Sequence, residues 1–250
     1  RTSRIAIGTW VLLLPLHNAL RVAEDAAVVD LISKGRFILG VGLGYRREEF
    51  EVLGVPREER TSRMEEGIEV LRVLWTQDPA TFKGRFFNFD GIAVRPQPVQ
   101  NPCPPIWMAN NPWVFGTSKS GTINRQVDRV ARLADGWMTV GATPEQFDSA
   151  WREICDAAES HGRDSAQLEN AIYFNLNLND DRAEAYAESK RFLDEYYSSD
   201  WPEWKVNVWT ACCAPAECAE RIRAFEAVSA QTMIIRFTSY NQKAQLARFL

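Results

Sequence analysis

The sequence is poor in several things at once. It has two histidines, and its five cysteines (Cys103, Cys155, Cys212, Cys213 and Cys218) form no CxxC pair. That is thin material for zinc, which takes Cys and His ligands at short spacings, so no metal site is expected. An odd, unpatterned cysteine set also argues against a disulfide framework. Plain thiols in a reducing cytoplasm are the expectation, with a strained vicinal Cys212–Cys213 bond as the alternative. There is no basic excess: 29 Lys and Arg face 33 Asp and Glu, a formal net charge of −4, so no nucleic-acid partner is expected. The longest apolar run, "WVLLLPL", falls well short of the roughly 20 residues of a membrane helix and contains a proline, so no membrane partner is expected either. Signal-peptide and low-complexity patterns are missing. The chain opens on Arg1 rather than methionine, which raises the expectation of sequence upstream.

What is present suits a sizeable core: 250 residues, 46% hydrophobic and 25% charged. Strand-like apolar runs alternate with amphipathic stretches. Strands are predicted at 4–14, 37–42, 105–109, 136–140, 171–178 and 232–237, and helices at 19–32, 60–75, 124–134, 182–197 and 214–228, with a closing helix through "QKAQLARFL". "FKGRFFNF" (82–89) reads as a short hairpin, and "RPQPVQNPCPP" as one rigid loop rather than a linker. In "TPEQFDSAWREI", Thr143 reads as an N-cap, Pro144 as the first helical residue and Gln146 as the capping-box partner. Strands followed by helices mean parallel βα units, and one α/β domain over 1–250, with open sheet or barrel undecided on pattern alone.

One stretch tests a nucleotide reading. "GRFILGVGLGYRREEF" (35–50) places Gly40, Gly42 and Gly44 after a strand, but the spacing is GxGxG and no clean crossover helix follows. A dinucleotide fingerprint needs GxGxxG opening such a helix. The glycines read instead as a strand end that lets a side chain or ligand approach closely.

The wider context is more specific. The stretch from "IGTWVLLLPLHNAL" through "GVGLGYRREEFEVLGVPREERTSRMEEGIEVLRVLW", followed in order by "FKGRFFNF", "RPQPVQNPCPPIWMA", "RVARLADGWMT" and "APAECAERI", resembles the bacterial luciferase-like superfamily over nearly the whole chain. That superfamily comprises flavin-dependent monooxygenases and deazaflavin-dependent oxidoreductases. The resemblance implies a luciferase-like (β/α)8 TIM barrel, with a cofactor across the C-terminal strand ends. Because only six strands are visible, the first one or two βα units of that barrel are expected to be absent from the chain.

The resemblance also directs attention to particular residues. It implies a non-prolyl cis peptide near Val11 to Leu14, against one face of the cofactor ring. His17, in the same loop, reads as a surface or helix-entry residue or as one touching substrate. Gly42, Gly44 and Tyr45 are expected to line the pocket, Tyr45 turned towards substrate; His17 and Tyr45 are the candidate catalytic residues. Luciferases proper carry a phosphate-binding arginine where Leu43 stands, so the phosphate must be held otherwise. Arg46 and Arg47 are either solvated or in contact with it. Ala109, Asn110 and Asn111 close a strand, and either asparagine suits the ring's polar edge. Ser118, Lys119, Ser120, Gly121 and Thr122 offer hydroxyls, a cation and free N–H groups at a helix start, which a phosphate requires. His161 reads as a helix end with Gly162 as its cap, and the pairs Glu48–Glu49 and Glu65–Glu66 as solvated faces. "YYSSDWPEWKVNVW" (196–209) reads as a lid or subunit contact.

The expected function is a cytoplasmic, FMN-dependent monooxygenase of a small organic substrate, using reduced FMN from a separate NAD(P)H-dependent flavin reductase, in a homodimer. The alternative is a hydride-transfer oxidoreductase dependent on the deazaflavin coenzyme F420. A second alternative is a non-catalytic flavin-binding protein.

Overall fold

The computed structural model describes residues 2–111 and 120–250, with the side chains of 120–124 outside that description. Two units are distinguished, Arg1–Ala109 with Leu133–Gly136, and Asn110–Arg132 with Trp137–Leu250.

The first unit opens with β1 (Ile7–Gly8) and α1 (Ala19–Ser33), then β2 (Phe37–Val41), α2 (Arg47–Val52) and α3 (Arg60–Thr76). A hairpin of β3 (Ala80–Lys83) and β4 (Asn88–Ile92) precedes β5 (Ile106–Ala109). β1, β2 and β5 are parallel, with Gly40 opposite Trp107 and Val41 opposite Met108. β2 is apolar throughout because both its faces are covered. α1 begins where Asn18 accepts the Leu20 N–H and buries Ala19, Val22, Ala23, Ala26 and Ala27, one helical stripe. α3 packs on it through Met64, Ile68, Leu71 and Trp75, and the Trp75 indole donates to the Ala23 carbonyl at 3.1 Å.

Two carboxylates tie loops to these helices. Asp30 is fully buried on α1 and accepts the backbone N–H groups of Val99 and Gln100 at 2.8 and 3.0 Å, plus the Gln100 side chain at 2.6 Å. The proline-rich loop is thereby fixed, as expected of a rigid segment. Glu66 on α3 accepts the N–H groups of Arg85, Phe86 and Phe87 at 2.9, 2.7 and 2.8 Å. Glu66 is therefore an anchor for the hairpin, not the solvated residue its pairing with Glu65 suggested.

The strand expected over 4–14 is only Ile7–Gly8. Beyond it, the Thr9 hydroxyl donates to the Gly40 carbonyl at 2.8 Å and Leu12 makes a single bridge to Val41. Pro15, which has no N–H to offer a ladder, then sits in a 3-10 turn, Leu14–Leu16.

The second unit runs α4 (Ser120–Leu133), β6 (Gly136–Val140), α5 (Pro144–Ser160), β7 (Glu169–Leu178), α6 (Arg182–Tyr197), α7 (Glu203–Trp209), β8 (Thr210–Cys213), α8 (Pro215–Glu226), β9 (Thr232–Phe237) and α9 (Gln242–Phe249). The Thr143 capping box with Pro144 is present as read. β8 and β9 both run parallel to β7, and Asn175 is the register partner of Thr210 on one and Arg236 on the other. Phe147, Phe174 and Phe225 pack together, Phe225 edge-on to Phe147.

Three residues of the 196–209 stretch, Trp201, Val206 and Trp209, are core in this unit. Trp201 and Trp209 are buried with Leu193 and Val206, and Tyr197 stacks on Trp201 at 4.8 Å. Enough apolar ring area lies here to hold α6 and α7 in place, although Trp204 stays exposed. The five cysteines are free thiols; Cys213 sits 2.9 Å from Cys218, not against Cys212 in a vicinal bond. Among the described residues no helix is long and apolar enough to cross a membrane.

Candidate functional site

In the first unit the predicted residues gather at the C-terminal ends of β1, β2 and β5. A cis peptide joins Trp10 to Val11, one bond ahead of the 11–14 stretch in which the family resemblance placed it. Gly42 is buried beneath it: a Cβ built there would lie 2.7 Å from Val11 Cγ2 and 3.9 Å from the Ala109 Cβ. Gly44 has φ +73°, and a Cβ there would meet Phe50 at 3.2 Å and Leu13 at 3.3 Å. The space given up by the two glycines is thus filled by Val11, Leu13 and Phe50. The glycines seat the 10–14 segment over the strand ends, and half-buried Val11, Leu12 and Leu13 form an apolar shelf there. Leu43, beside them, is also half-buried.

His17 and Tyr45 are more exposed than this seat. His17 is exposed at the end of the Leu14–Leu16 turn. Tyr45 is 58% exposed, with the Arg46 guanidinium 5.8 Å from its ring centre and Arg46 Nε donating to its hydroxyl at 3.4 Å.

In the second unit both strand-end asparagines are engaged. Asn110 Oδ1 accepts from the Trp137 indole at 2.8 Å, and its Nδ2 donates to the Gln126 carbonyl at 3.1 Å. Asn111 Oδ1 accepts from the Thr139 hydroxyl and the Val140 N–H, both at 3.1 Å. Both side-chain carbonyls therefore already take strong donors. The phosphate-type residues Ser118 and Lys119 lie outside the described residues. Ser120, Gly121 and Thr122 open α4, with their side chains outside the description. His161 caps α5 and meets Asp128 at 2.8 Å, a structural pairing as read.

A polar row crosses the second unit at positions not singled out from the sequence. Thr210, Asn175 and Arg236 are register neighbours on three adjacent strands, so their side chains share a face. Arg236 Nε donates to Asn175 Oδ1 at 3.1 Å, and its guanidinium lies over Tyr196 at 4.5 Å and Tyr173 at 5.4 Å. Three buried polar atoms remain without partners: Asn175 Nδ2, Thr210 Oγ1 and Arg236 Nη2. Two N–H donors and a hydroxyl at one place suit an oxygen acceptor, since unmatched buried donors are costly. The signal was legible: polar residues at alternate positions of "AIYFNLNL" and the arginine in "TMIIRF".

One register step along, Asn177 feeds a satisfied network. Glu188 accepts from Asn177 Nδ2 at 2.7 Å, from the Ser239 hydroxyl at 2.8 Å and from the Tyr240 N–H at 3.1 Å. Burial alone would raise the Glu188 carboxyl, but these three hydrogen bonds outweigh it and hold it below its ordinary value. Cys212, on β8, is pushed up to about 11 by burial.

The model of the luciferase-like monooxygenase family matches residues 1–232. An uncharacterized protein of Mycobacterium tuberculosis is 36% identical over 147 residues, covering 59% of this chain and 47% of that protein. The F420-dependent glucose-6-phosphate dehydrogenase of Kineococcus radiotolerans is 30% identical over 198 residues, 77% of this chain and 54% of that one. The chain thus spans about half the length of the curated relatives it matches. Among solved structures, monooxygenase RslO1 from Streptomyces bottropensis superposes with a TM-score of 0.82 at 23% identity, over 100% of this chain and 77% of that one.

Proposed function

This chain belongs to the luciferase-like monooxygenase family, an α/β fold of oxidoreductases, and from that premise we propose that it works with a flat tricyclic flavin-type cofactor laid against the shelf at residues 10–14. The observation that carries the reading is the seating of Val11 in the space left by Gly42, beside Ala109, at the ends of three parallel strands. The ends of barrel strands are where α/β barrels place their chemistry. An apolar shelf of Val11, Leu12 and Leu13 fits the face of an aromatic ring system, so the residues present suit the group.

When bound, such a cofactor supplies either hydride transfer, as a deazaflavin, or oxygen activation, as reduced FMN. The chain's part is to orient the ring and exclude water from one face of it through those three side chains. Of the two, we place deazaflavin-dependent hydride transfer first. It is favoured by the Kineococcus relative, F420-dependent by its name and 30% identical over 77% of this chain. Leu43, standing where luciferases proper carry a phosphate arginine, is neutral between the two. The second reading, an FMN monooxygenase supplied by a separate reductase, is supported by the luciferase-like monooxygenase family model that matches residues 1–232.

Titration with FMN and F420 in both redox states separates them. Binding of F420 alone supports hydride transfer. Saturable binding of reduced FMN with oxygen consumption overturns it in favour of the oxygenase, and binding of neither overturns both.

A further inference from the structure

Three arginines in the first unit form no ion pair among the described residues. Arg47 on α2, Arg57 in the 3-10 turn before α3 and Arg60 at the start of α3 all line one cavity of about 460 Å³. Among the described residues no ion pair or side-chain hydrogen bond joins any of them to another group. Glu59, the acid between Arg57 and Arg60, is already committed: it pairs with Arg63 and with Arg85, at 2.9 and 2.8 Å. Glu51 and Glu58 also line the cavity, yet neither comes within ion-pair distance of the three guanidiniums. Arg57 Nε is buried and without a partner.

This arrangement is costly as it stands. Burial and the neighbouring Arg57 charge both lower the Arg60 guanidinium from its ordinary value, the mark of two cations held close with nothing between them. Guanidiniums are the side chains best suited to grip a tetrahedral oxyanion, through paired N–H donors. The Thr61 hydroxyl adds another donor to the lining. The cavity is also far larger than one such ion, and lies in the size range of small-molecule sites. Phe50 forms one wall, and the edge of the same ring packs against Gly44 at the end of β2.

We propose that this cavity binds the phosphoryl group of a phosphorylated small molecule, gripped by Arg57 and Arg60 and closed over by Arg47. The site stands whether or not the cofactor reading holds; only the source of the phosphoryl group depends on it.

The test is calorimetric titration of the whole chain with inorganic phosphate in phosphate-free buffer, at constant ionic strength set with chloride. Wild type binds saturably, and R57Q/R60Q weakens binding at least tenfold, while R21Q on α1 leaves it unchanged. The double variant also melts at or above the wild-type temperature without phosphate, because a like-charge contact has been removed. Binding that chloride reproduces, or affinity kept within twofold in R57Q/R60Q, overturns the proposal, as does a lower melting temperature of that variant in phosphate-free buffer. Competition with whichever cofactor loads identifies the source. Displacement of phosphate by FMN but not by riboflavin, or by F420, assigns the group to the cofactor; undisturbed phosphate binding at saturating cofactor assigns it to a substrate. Either result upholds the site.

Discussion

Val11 Cγ2 lies where the side chain of any residue larger than glycine at position 42 would begin, 2.7 Å from a Cβ built there. Val11 is β-branched and stiff at χ1, so it cannot swing aside cheaply. Gly42→Ala is therefore expected to cost about 1–3 kcal/mol through overpacking, and to lift the 10–14 shelf from the strand ends. Urea unfolding and cofactor titration of the same variant check both effects. A variant as stable as wild type with unchanged cofactor affinity would remove the shelf from the site.

Glu66 anchors the backbone of the hairpin loop. With Glu66 replaced by Ala, the N–H groups of Arg85, Phe86 and Phe87 lose their shared acceptor. The expected loss is about 2–3 kcal/mol, tempered by water reaching the exposed Arg85 amide. Limited proteolysis should cut the variant between β3 and β4 before anywhere else. Glu66→Gln, which keeps one carbonyl oxygen, should lose less.

Acid should act through Glu188. Its folded-state value is held below the ordinary one, so ionised Glu188 contributes stability that is full above the unfolded glutamate range and is lost as pH falls through the lower, folded value. Glu188→Gln should flatten the acid limb of a stability-versus-pH curve below about pH 4.5 and change little near neutrality. An acid limb identical to wild type would mean that other carboxylates dominate it.

Cys212 should be sluggish. With its thiol pushed up to about 11 by burial, only about a thousandth is thiolate at pH 8. Alkylation by iodoacetamide, followed by peptide mass mapping, should be negligible at pH 8 and rise steeply towards pH 10. Rapid modification at pH 7 would show that the residue is far more open than the structure has it.

Much of this was readable in advance where local chemistry decides. Thr143, Pro144 and Gln146 fixed the start of α5, and the apolar runs located β6 and β9 to the residue, because caps and buried strands depend on near neighbours. The 4–14 run hides its conformation for the opposite reason. Its residues are as apolar as a strand's, but what they pack on is Gly42 and Gly44, some thirty positions away, which no local period can express. The roles of Glu66 and Asp30 were hidden likewise, since their partners are backbone N–H groups contributed by distant loops. Of the candidate site, the strand-end cluster was legible through family resemblance. Asn110 and Asn111 were located, but their engagement with Trp137, Thr139 and Val140 emerges only from the fold. The Thr210–Asn175–Arg236 row was legible strand by strand, though not as a row, because register is a property of three segments at once.

Phe50 is a single ring with two tenants. Its edge fills the space Gly44 leaves at the strand end, and it also walls the arginine cavity. A close-packed ring cannot yield on one side without being felt on the other. An occupant of the arginine cavity that shifts this ring therefore changes the free energy of settling beside Gly44, and by thermodynamic necessity the reverse holds with the same magnitude. Phe50→Leu, which loosens that partition, should weaken the coupling between the two more than it weakens either binding event alone.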